Sequence, residues 1–198
     1  MSKQLVNPLQ RLVKKASSTL PATTGKVAAQ QTRLDRRQGE TLILADISGS
    51  MSAPAWGDMS KLDVLREAVA AVMQRQKCRL LVFSQRVREL QAIPEHTETS
   101  TNLTAALQAA QQHDPGVTLV ISDGQPDNPQ QALKIAQTFR GAIDVLYVGP
   151  DSDAAAISFM SQLARAGRGT VKINDIGTPE GAQQLLGCIA GLLPAPSK

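Results

Sequence analysis

The chain has 198 residues, a formal net charge of +4 at pH 7 and 42% hydrophobic residues. This length is typical of one globular domain with an extension, and the hydrophobic share is enough to form a core. Aromatic residues make up only 3% of the chain, so aliphatic side chains must build the core, as they do in parallel sheets covered by helices. The sequence contains no continuous apolar run long enough to span a membrane as a helix. Two cysteines exclude a disulfide framework and favour a reducing cytoplasm.

The N-terminal part of the chain differs in charge from the rest. Residues 1–40 hold eight basic and two acidic residues, a balance of +6, whereas residues 41–198 hold thirteen and fifteen, a balance of −2. We therefore predict a basic extension over 1–40 and a folded domain over 41–198. The extension is expected to be solvated or packed on the domain, with an acidic partner, nucleic acid or an anionic membrane as alternative targets. It lacks a secretory pattern, which again predicts a cytoplasmic protein.

Apolar strands and amphipathic helices alternate along the domain. The predicted strands are 41–46, 79–84, 87–90, 117–122, 143–148 and 169–173, of which 87–90 is a short antiparallel edge strand. The predicted helices are 61–76, which Ser60 caps, then 102–112, 128–140 and 153–166, and a terminal helix marked by apolar residues at 185–192. This alternation predicts an α/β fold with a doubly wound, mostly parallel, Rossmann-like sheet and helices on both faces.

Polar residues follow the first strand at alternate positions. Asp46, Ser48 and Ser50 come directly after the apolar run 41–45. The carboxyl ends of parallel strands are where such sheets bind ligands. These side chains offer only hard oxygen atoms, which suit Mg²⁺, Mn²⁺ or Ca²⁺. The alternative is an ordinary Ser/Gly-rich turn, because short motifs of this kind also arise by chance.

Two later segments place further oxygen ligands at equivalent positions. Thr101 lies at the start of the predicted helix 102–112, where its hydroxyl either binds a metal or caps the helix. Asp123 follows the apolar strand 117–122 and precedes Gly124, a pair that also marks turns. Each signal alone has an ordinary structural explanation, but the three occur in strand-loop contexts that would bring them to one edge of the sheet.

The order strand-D-x-S-x-S, helix-start Thr, strand-Asp-Gly resembles the von Willebrand factor type A (VWA) domain with its metal-ion-dependent adhesion site (MIDAS). The resemblance covers roughly residues 41–193. It implies five residues around the metal: the hydroxyls of Ser48, Ser50 and Thr101 and the carboxylates of Asp46 and Asp123. The family often has Gly-Gly before the threonine, whereas this chain has Thr99 and Ser100, whose backbone is less free.

The same resemblance implies a protein-binding function. Hydroxyl ligands are neutral, so the metal keeps much of its charge, and in the VWA family a Glu or Asp of a partner protein completes its coordination. Trp56 and Gln125, on loops beside the motifs, are the predicted partner contacts. The Trp56 indole either anchors a partner or folds back onto the domain. The resemblance further implies an intracellular bacterial adaptor or assembly factor, working with an AAA+ ATPase, a kinase or a stress-response complex.

Most enzyme classes fail on specific residues. A haloacid-dehalogenase-type phosphatase needs D-x-D after its first strand, but Ser48 stands at the second acid. The Thr24–Lys26 segment lacks the first glycine of a nucleotide-binding loop, since that position is Leu20. No nucleophile, base and orienting group occur together, so we predict a non-enzyme. A Mg²⁺-dependent hydrolase is the alternative, and it would need a general base that the sequence does not identify.

Overall fold

The computed structural model describes residues 37–194, and within that range the chain forms six strands and five α-helices. The strands are β1 (Thr41–Asp46), β2 (Arg79–Phe83), β3 (Val87–Leu90), β4 (Val117–Ser122), β5 (Ala142–Tyr147) and β6 (Arg168–Ile173). The helices are α1 (Lys61–Arg75), α2 (Leu103–Gln111), α3 (Pro129–Thr138), α4 (Ala154–Ala166) and α5 (Pro179–Leu192). The predictions made for residues 1–36 lie outside the described residues.

The six strands form one sheet in the order β3-β2-β1-β4-β5-β6. Every neighbouring pair is parallel except β2 and β3, which pair antiparallel at one edge. This confirms the predicted doubly wound, mostly parallel sheet and its antiparallel edge strand. The chain first builds outward from β1 to β3 and then crosses to the other side of β1 as β4. The strand order therefore reverses between β1 and β4, and such switch points are where α/β sheets bind ligands.

Helices cover both faces of the sheet and enclose two separate cores. One core lies under α1 and α5, and the other lies under α2, α3 and α4. Strand β1 contributes side chains to both cores, because side chains alternate along a strand. Ile43 and Ala45 face the first core, and Leu42 and Leu44 face the second. With both faces buried, β1 is a rigid support for the polar residues that follow it. Within residues 37–194, no helix combines the length and apolar character needed to cross a bilayer.

The ends of the helices follow local sequence signals closely. As predicted, Ser60 caps α1: its hydroxyl accepts the Asp63 N–H, and the Asp63 carboxylate accepts the Ser60 N–H, forming a capping box. Helix α3 is shorter than predicted and ends at Thr138 instead of Arg140. The reason is Phe139, whose backbone is extended and whose ring is buried in the second core.

Candidate metal centre

Asp46 is the innermost residue of the predicted site. The β1–β4 register pairs Ala45 with Ile121, which brings Asp46 level with Ser122 at the end of β4. One carboxylate oxygen of Asp46 accepts the Ser48 N–H at 2.8 Å, and the other accepts the Ser122 hydroxyl at 2.6 Å. The Asp46 residue is fully buried. The carboxylate is therefore oriented by both strands that meet at the switch point.

Burial dominates the electrostatics of this carboxylate. Removal from water raises the pKa of Asp46 to about 6, although the hydrogen bonds from Ser122 and Ser48 act in the opposite direction. Both donors are neutral, and no ion pair joins Asp46 to a cationic side chain among residues 37–194. A buried carboxylate with only neutral donors is stabilised by a nearby cation. Asp46 thus meets the electrostatic requirement of a metal ligand.

A chain of hydroxyl groups leads from Asp46 towards the surface. The Ser48 and Ser50 side-chain oxygens lie 3.1 Å apart, and the Ser50 hydroxyl donates to Asp123 at 2.6 Å. The short 3-10 turn over Gly49–Ser52 directs both serines to the same side. Asp46, Ser48 and Asp123 are buried, whereas Ser50 is exposed. The structure therefore brings four of the five predicted ligands into one hydrogen-bonded group that opens to solvent at Ser50.

Thr101 lies at the same edge of the sheet but is not part of that group. The Glu98 N–H donates to the Ile47 carbonyl at 2.8 Å, and the Asn102 N–H donates to the Ser84 carbonyl at 2.9 Å. These two bonds hold the segment 98–102 beside the loops that follow β1 and β2. Within the described residues, no hydrogen bond joins the Thr101 side chain to Asp46 or to the two serines. Its metal-binding role remains a prediction.

The backbone before Thr101 adopts the conformation that favours glycine. Ser100 has φ of 74°, the left-handed region, at the position where the VWA family often has Gly. Asp127 compensates, because its carboxylate accepts the Ser100 hydroxyl and the Thr101 N–H. Asp127 is not the cap of α3, although it precedes the helix: Asn128 caps the helix by accepting the Gln131 N–H. Asp127 instead supports the loop that carries Thr101.

Two side chains that the motifs did not predict contact the candidate ligands. Ser122 donates to Asp46, and the Lys61 ammonium lies 2.6 Å from Asp123. Ser122 was detectable as the last residue of a strand that aligns with β1. Lys61 also carried a signal, because a cation at the first residue of a helix opposes the helix dipole and suggests an acidic neighbour.

Trp56 and Gln125 are both exposed, as partner contacts must be. Trp56 is 48% exposed, and its backbone N–H donates to the Ile176 carbonyl at 3.1 Å. Its side chain borders a groove of about 350 Å³ between α1 and α5, which Met59 and Leu186 also line. Partner binding by Trp56 and Gln125 remains a prediction.

The donor chemistry of the group fits a hard divalent cation. No cluster of three or more His, Cys, Asp or Glu side chains suited to a metal occurs in residues 37–194. A cation at this centre would therefore rely on the carboxylates of Asp46 and Asp123 together with neutral hydroxyl oxygens. Mg²⁺, Mn²⁺ and Ca²⁺ accept such a set, whereas metals that prefer nitrogen or sulfur do not.

Comparison with known proteins supports the fold. No family model and no curated protein matches the chain. Among solved structures, the chain is similar to the SpRpn10 VWA domain, with a TM-score of 0.57 and 13% sequence identity over 76% of this chain and 95% of that one. A likeness at this level of identity concerns the fold alone. The chain therefore has a VWA-like α/β fold, as the order of its three polar motifs predicted.

Proposed function

We propose that this protein is a metal-dependent protein-binding module, in which a divalent cation at the ends of β1 and β4 binds an acidic side chain of a partner. The observation that carries the proposal is the buried Asp46 carboxylate, contacted only by neutral donors, at the inner end of a hydroxyl chain that reaches solvent at Ser50. Mg²⁺ is the proposed cation, and Mn²⁺ and Ca²⁺ suit the same oxygen ligands.

The composition of the ligand set explains why an acidic partner would bind. Asp46 and Asp123 supply the carboxylates, and Ser48, Ser50 and Thr101 supply neutral hydroxyls, so the negative charge of the protein ligands balances that of a divalent cation without exceeding it. The cation keeps its affinity for a further carboxylate, and a Glu or Asp on a partner's loop or strand would provide one. Such a contact is specific for acids and is lost when the metal is chelated.

The surface around the centre suits a protein partner. Trp56 is an exposed aromatic residue on the loop that follows the serine motif, and aromatic side chains often dominate binding energy in protein interfaces. Gln125 is exposed on the loop that follows β4 and offers an amide for a polar contact. The proposed role is that of an adaptor or assembly factor whose partners are selected by an acidic residue and by contacts with these two side chains.

The first test is metal binding by the purified protein. We expect Mg²⁺ at about 100 times its Kd to stabilise the wild type by about 2.7 kcal/mol. For a domain of this size, that corresponds to a rise in Tm of about 5–10 °C relative to EDTA. The Ser48→Ala/Ser50→Ala variant should lose the rise. Ser52→Ala is the matched control, because Ser52 lies in the same loop but donates to the Gly49 carbonyl instead of the cluster.

The second test is partner capture from host lysate, in Mg²⁺ and in EDTA. A partner retained by the wild type and by Ser52→Ala only in Mg²⁺, and lost with Ser48→Ala/Ser50→Ala, would support the proposal. Equal retention in EDTA and by the double variant would contradict it and would locate the binding surface elsewhere.

A further inference from the structure

Lys61 is a largely buried cation in direct contact with the candidate centre. Its ammonium lies 2.6 Å from one oxygen of Asp123, while the Ser50 hydroxyl donates to the other oxygen at 2.6 Å. The side chains of Lys61 and Asp123 are only 12% and 2% exposed. Both oxygens of Asp123 therefore have protein donors, and one of those donors carries a full positive charge.

The local structure holds this lysine in place. Lys61 is the first residue of α1, and its backbone N–H donates to the Ala53 carbonyl at 3.0 Å, which ties the helix start to the serine-bearing loop. The capping box of Ser60 and Asp63 fixes the same turn. A cation is unfavourable at a helix N-terminus, so the position of Lys61 is explained by its contact with Asp123 and not by helix formation.

We propose that Lys61 is a tethered counter-cation that weakens divalent metal binding at Asp123 and, once the metal is bound, strengthens the binding of a carboxylate ligand. This inference rests on the proposed function, because it concerns the same cation and the same acidic partner. It differs from that function by assigning a role to a residue that is not one of the predicted metal ligands.

The first half of the proposal follows from repulsion and competition. A metal that binds Asp123 must displace the ammonium or share the carboxylate with it. At a separation of about 6 Å, the repulsion between an ammonium and a dication changes a binding constant about tenfold even at the dielectric constant of water. Lys61 should therefore lower the affinity of the centre for Mn²⁺ or Mg²⁺ by about that factor.

The second half follows from the total charge of the loaded centre. Asp46 and Asp123 balance the two charges of a divalent cation, so the ammonium leaves the centre with one net positive charge. A carboxylate ligand neutralises that charge. The attraction between an ammonium and a carboxylate at about 6 Å corresponds to about a threefold gain in affinity. A lysine that only supported the fold would not have opposite effects on the two affinities.

The experiment measures both affinities in the full-length protein. Mn²⁺ affinity is taken from electron paramagnetic resonance of the free ion. Acetate affinity is taken from the loss of water-proton relaxation enhancement as acetate displaces water from bound Mn²⁺. The charge-removing variants are Lys61→Met and Lys61→Gln, and the glutamine keeps a donor for Asp123 should the methionine fail to fold. Lys61→Arg conserves the charge, and Lys134→Met removes a charge from an exposed position in α3.

We expect Lys61→Met and Lys61→Gln to bind Mn²⁺ about tenfold more tightly and acetate about threefold more weakly, with Lys61→Arg and Lys134→Met close to wild type. A fall in both affinities, or unchanged Mn²⁺ affinity, would overturn the inference while leaving the proposed function intact. If Lys61→Met binds Mn²⁺ and the wild type does not, the proposed metal-dependent function of the wild type is overturned. The same result would support competition between Lys61 and the metal for Asp123. If neither binds Mn²⁺, both proposals fail.

Discussion

Two fully buried aspartates in the same sheet differ in how their charge is balanced. Asp144, in β5, lies 2.6 Å from the Arg37 guanidinium and accepts the Thr170 N–H and hydroxyl at 2.8 and 2.9 Å. Asp46, at the end of β1, accepts hydrogen bonds from Ser48 and Ser122 and from no other residue in 37–194. Both residues have zero exposure. One buried charge is thus balanced by the protein itself, and the other is not.

The difference separates a structural acid from a candidate ligand. Arg37 also donates to the Leu192 carbonyl at 2.7 Å, so the pair joins the start of the described chain to the end of α5. That network is closed, because both oxygens of Asp144 have donors and one of those donors is the Arg37 guanidinium. The group around Asp46 leads instead to exposed Ser50 and to a lysine that contacts Asp123 and not Asp46. A buried acid is a candidate metal ligand when no cationic side chain balances its charge.

The largest expected effect is loss of the closed pair. Arg37→Met leaves the Asp144 carboxylate buried without a cation, and breaking a buried pair in this way costs about 3–5 kcal/mol. Because the Arg37 side chain is 27% exposed, we expect the lower end, about 3 kcal/mol, in the free energy of urea unfolding.

The matched control for that experiment is Arg140→Met. Arg140 pairs with Asp114 at 3.2 Å, but the two side chains are 86% and 61% exposed. An exposed pair contributes little, so we expect a change below about 0.5 kcal/mol. Equal effects of Arg37→Met and Arg140→Met would show that Asp144 is reached by water and would remove the contrast with Asp46.

The next effect concerns the uncompensated acid. The pKa of Asp46 is about 6 in the folded protein, above the unfolded value of about 3.9, so folding favours its protonated form. The ionised carboxylate therefore costs stability above about pH 6, and this cost disappears as the pH falls towards 4. We expect Asp46→Asn in EDTA at pH 7.5 to raise the free energy of unfolding by about 2–3 kcal/mol.

The pH dependence of that gain distinguishes its cause. Between pH 7.5 and about pH 3, below the unfolded pKa, the advantage of Asp46→Asn over wild type should shrink to near zero in urea titrations. Added Mg²⁺ should also remove this stability advantage at pH 7.5, because bound Mg²⁺ then balances the ionised Asp46 carboxylate of the wild type. An advantage that stays constant with pH would mean that the amide improves packing and that ionisation of Asp46 is not the cause. Asp144→Asn should instead destabilise the protein, since it leaves Arg37 without its acid.

The smallest expected effect concerns a third aspartate, Asp63. Its pKa shows the effect of hydrogen bonds on a carboxyl group that is not buried. Asp63 is near the surface, and hydrogen bonds from Ser60, followed by Arg66, lower its pKa. Neutral donors therefore lower a carboxyl pKa where burial is absent, and burial reverses the direction at Asp46. Removing the cap with Ser60→Ala should cost about 1 kcal/mol of unfolding free energy at pH 7.

Part of the cap depends on ionised Asp63, because the Ser60 N–H and hydroxyl donate to its carboxylate, whereas the bond from the Asp63 N–H to the Ser60 hydroxyl does not depend on it. The depressed pKa of Asp63 means that this part of the contribution is present above the unfolded pKa and is lost as the pH falls through the folded value. The penalty of Ser60→Ala should therefore be smaller at pH 3 than at pH 7. A penalty that grows in acid would contradict the assignment of the capping box. It would also weaken the argument that burial, and not its donors, controls Asp46.

Local patterns in the sequence were sufficient for the sheet and for most of the site. The apolar run 41–45 predicted β1 because a strand buried on both faces needs apolar side chains at every position. The polar residues after it predicted the Asp46, Ser48 and Ser50 group. The end of α3 was misjudged because burial of Phe139 in the core outweighed helical propensity. The supporting role of Asp127 was missed because it depends on the backbone conformation of Ser100.

By itself, the sequence determined the fold class, the strands that precede the polar motifs and the chemical type of the candidate ligands, because these follow from periodicity and residue type. Only the tertiary structure decided which acids have a cation. Arg37 reaches Asp144 from 107 residues away, and Lys61 reaches Asp123 from 62 residues away. Charge compensation depends on distance and burial in space, and neither quantity is encoded in the local pattern around a residue. For this reason, the contrast between Asp144 and Asp46 is visible only once the chain is folded.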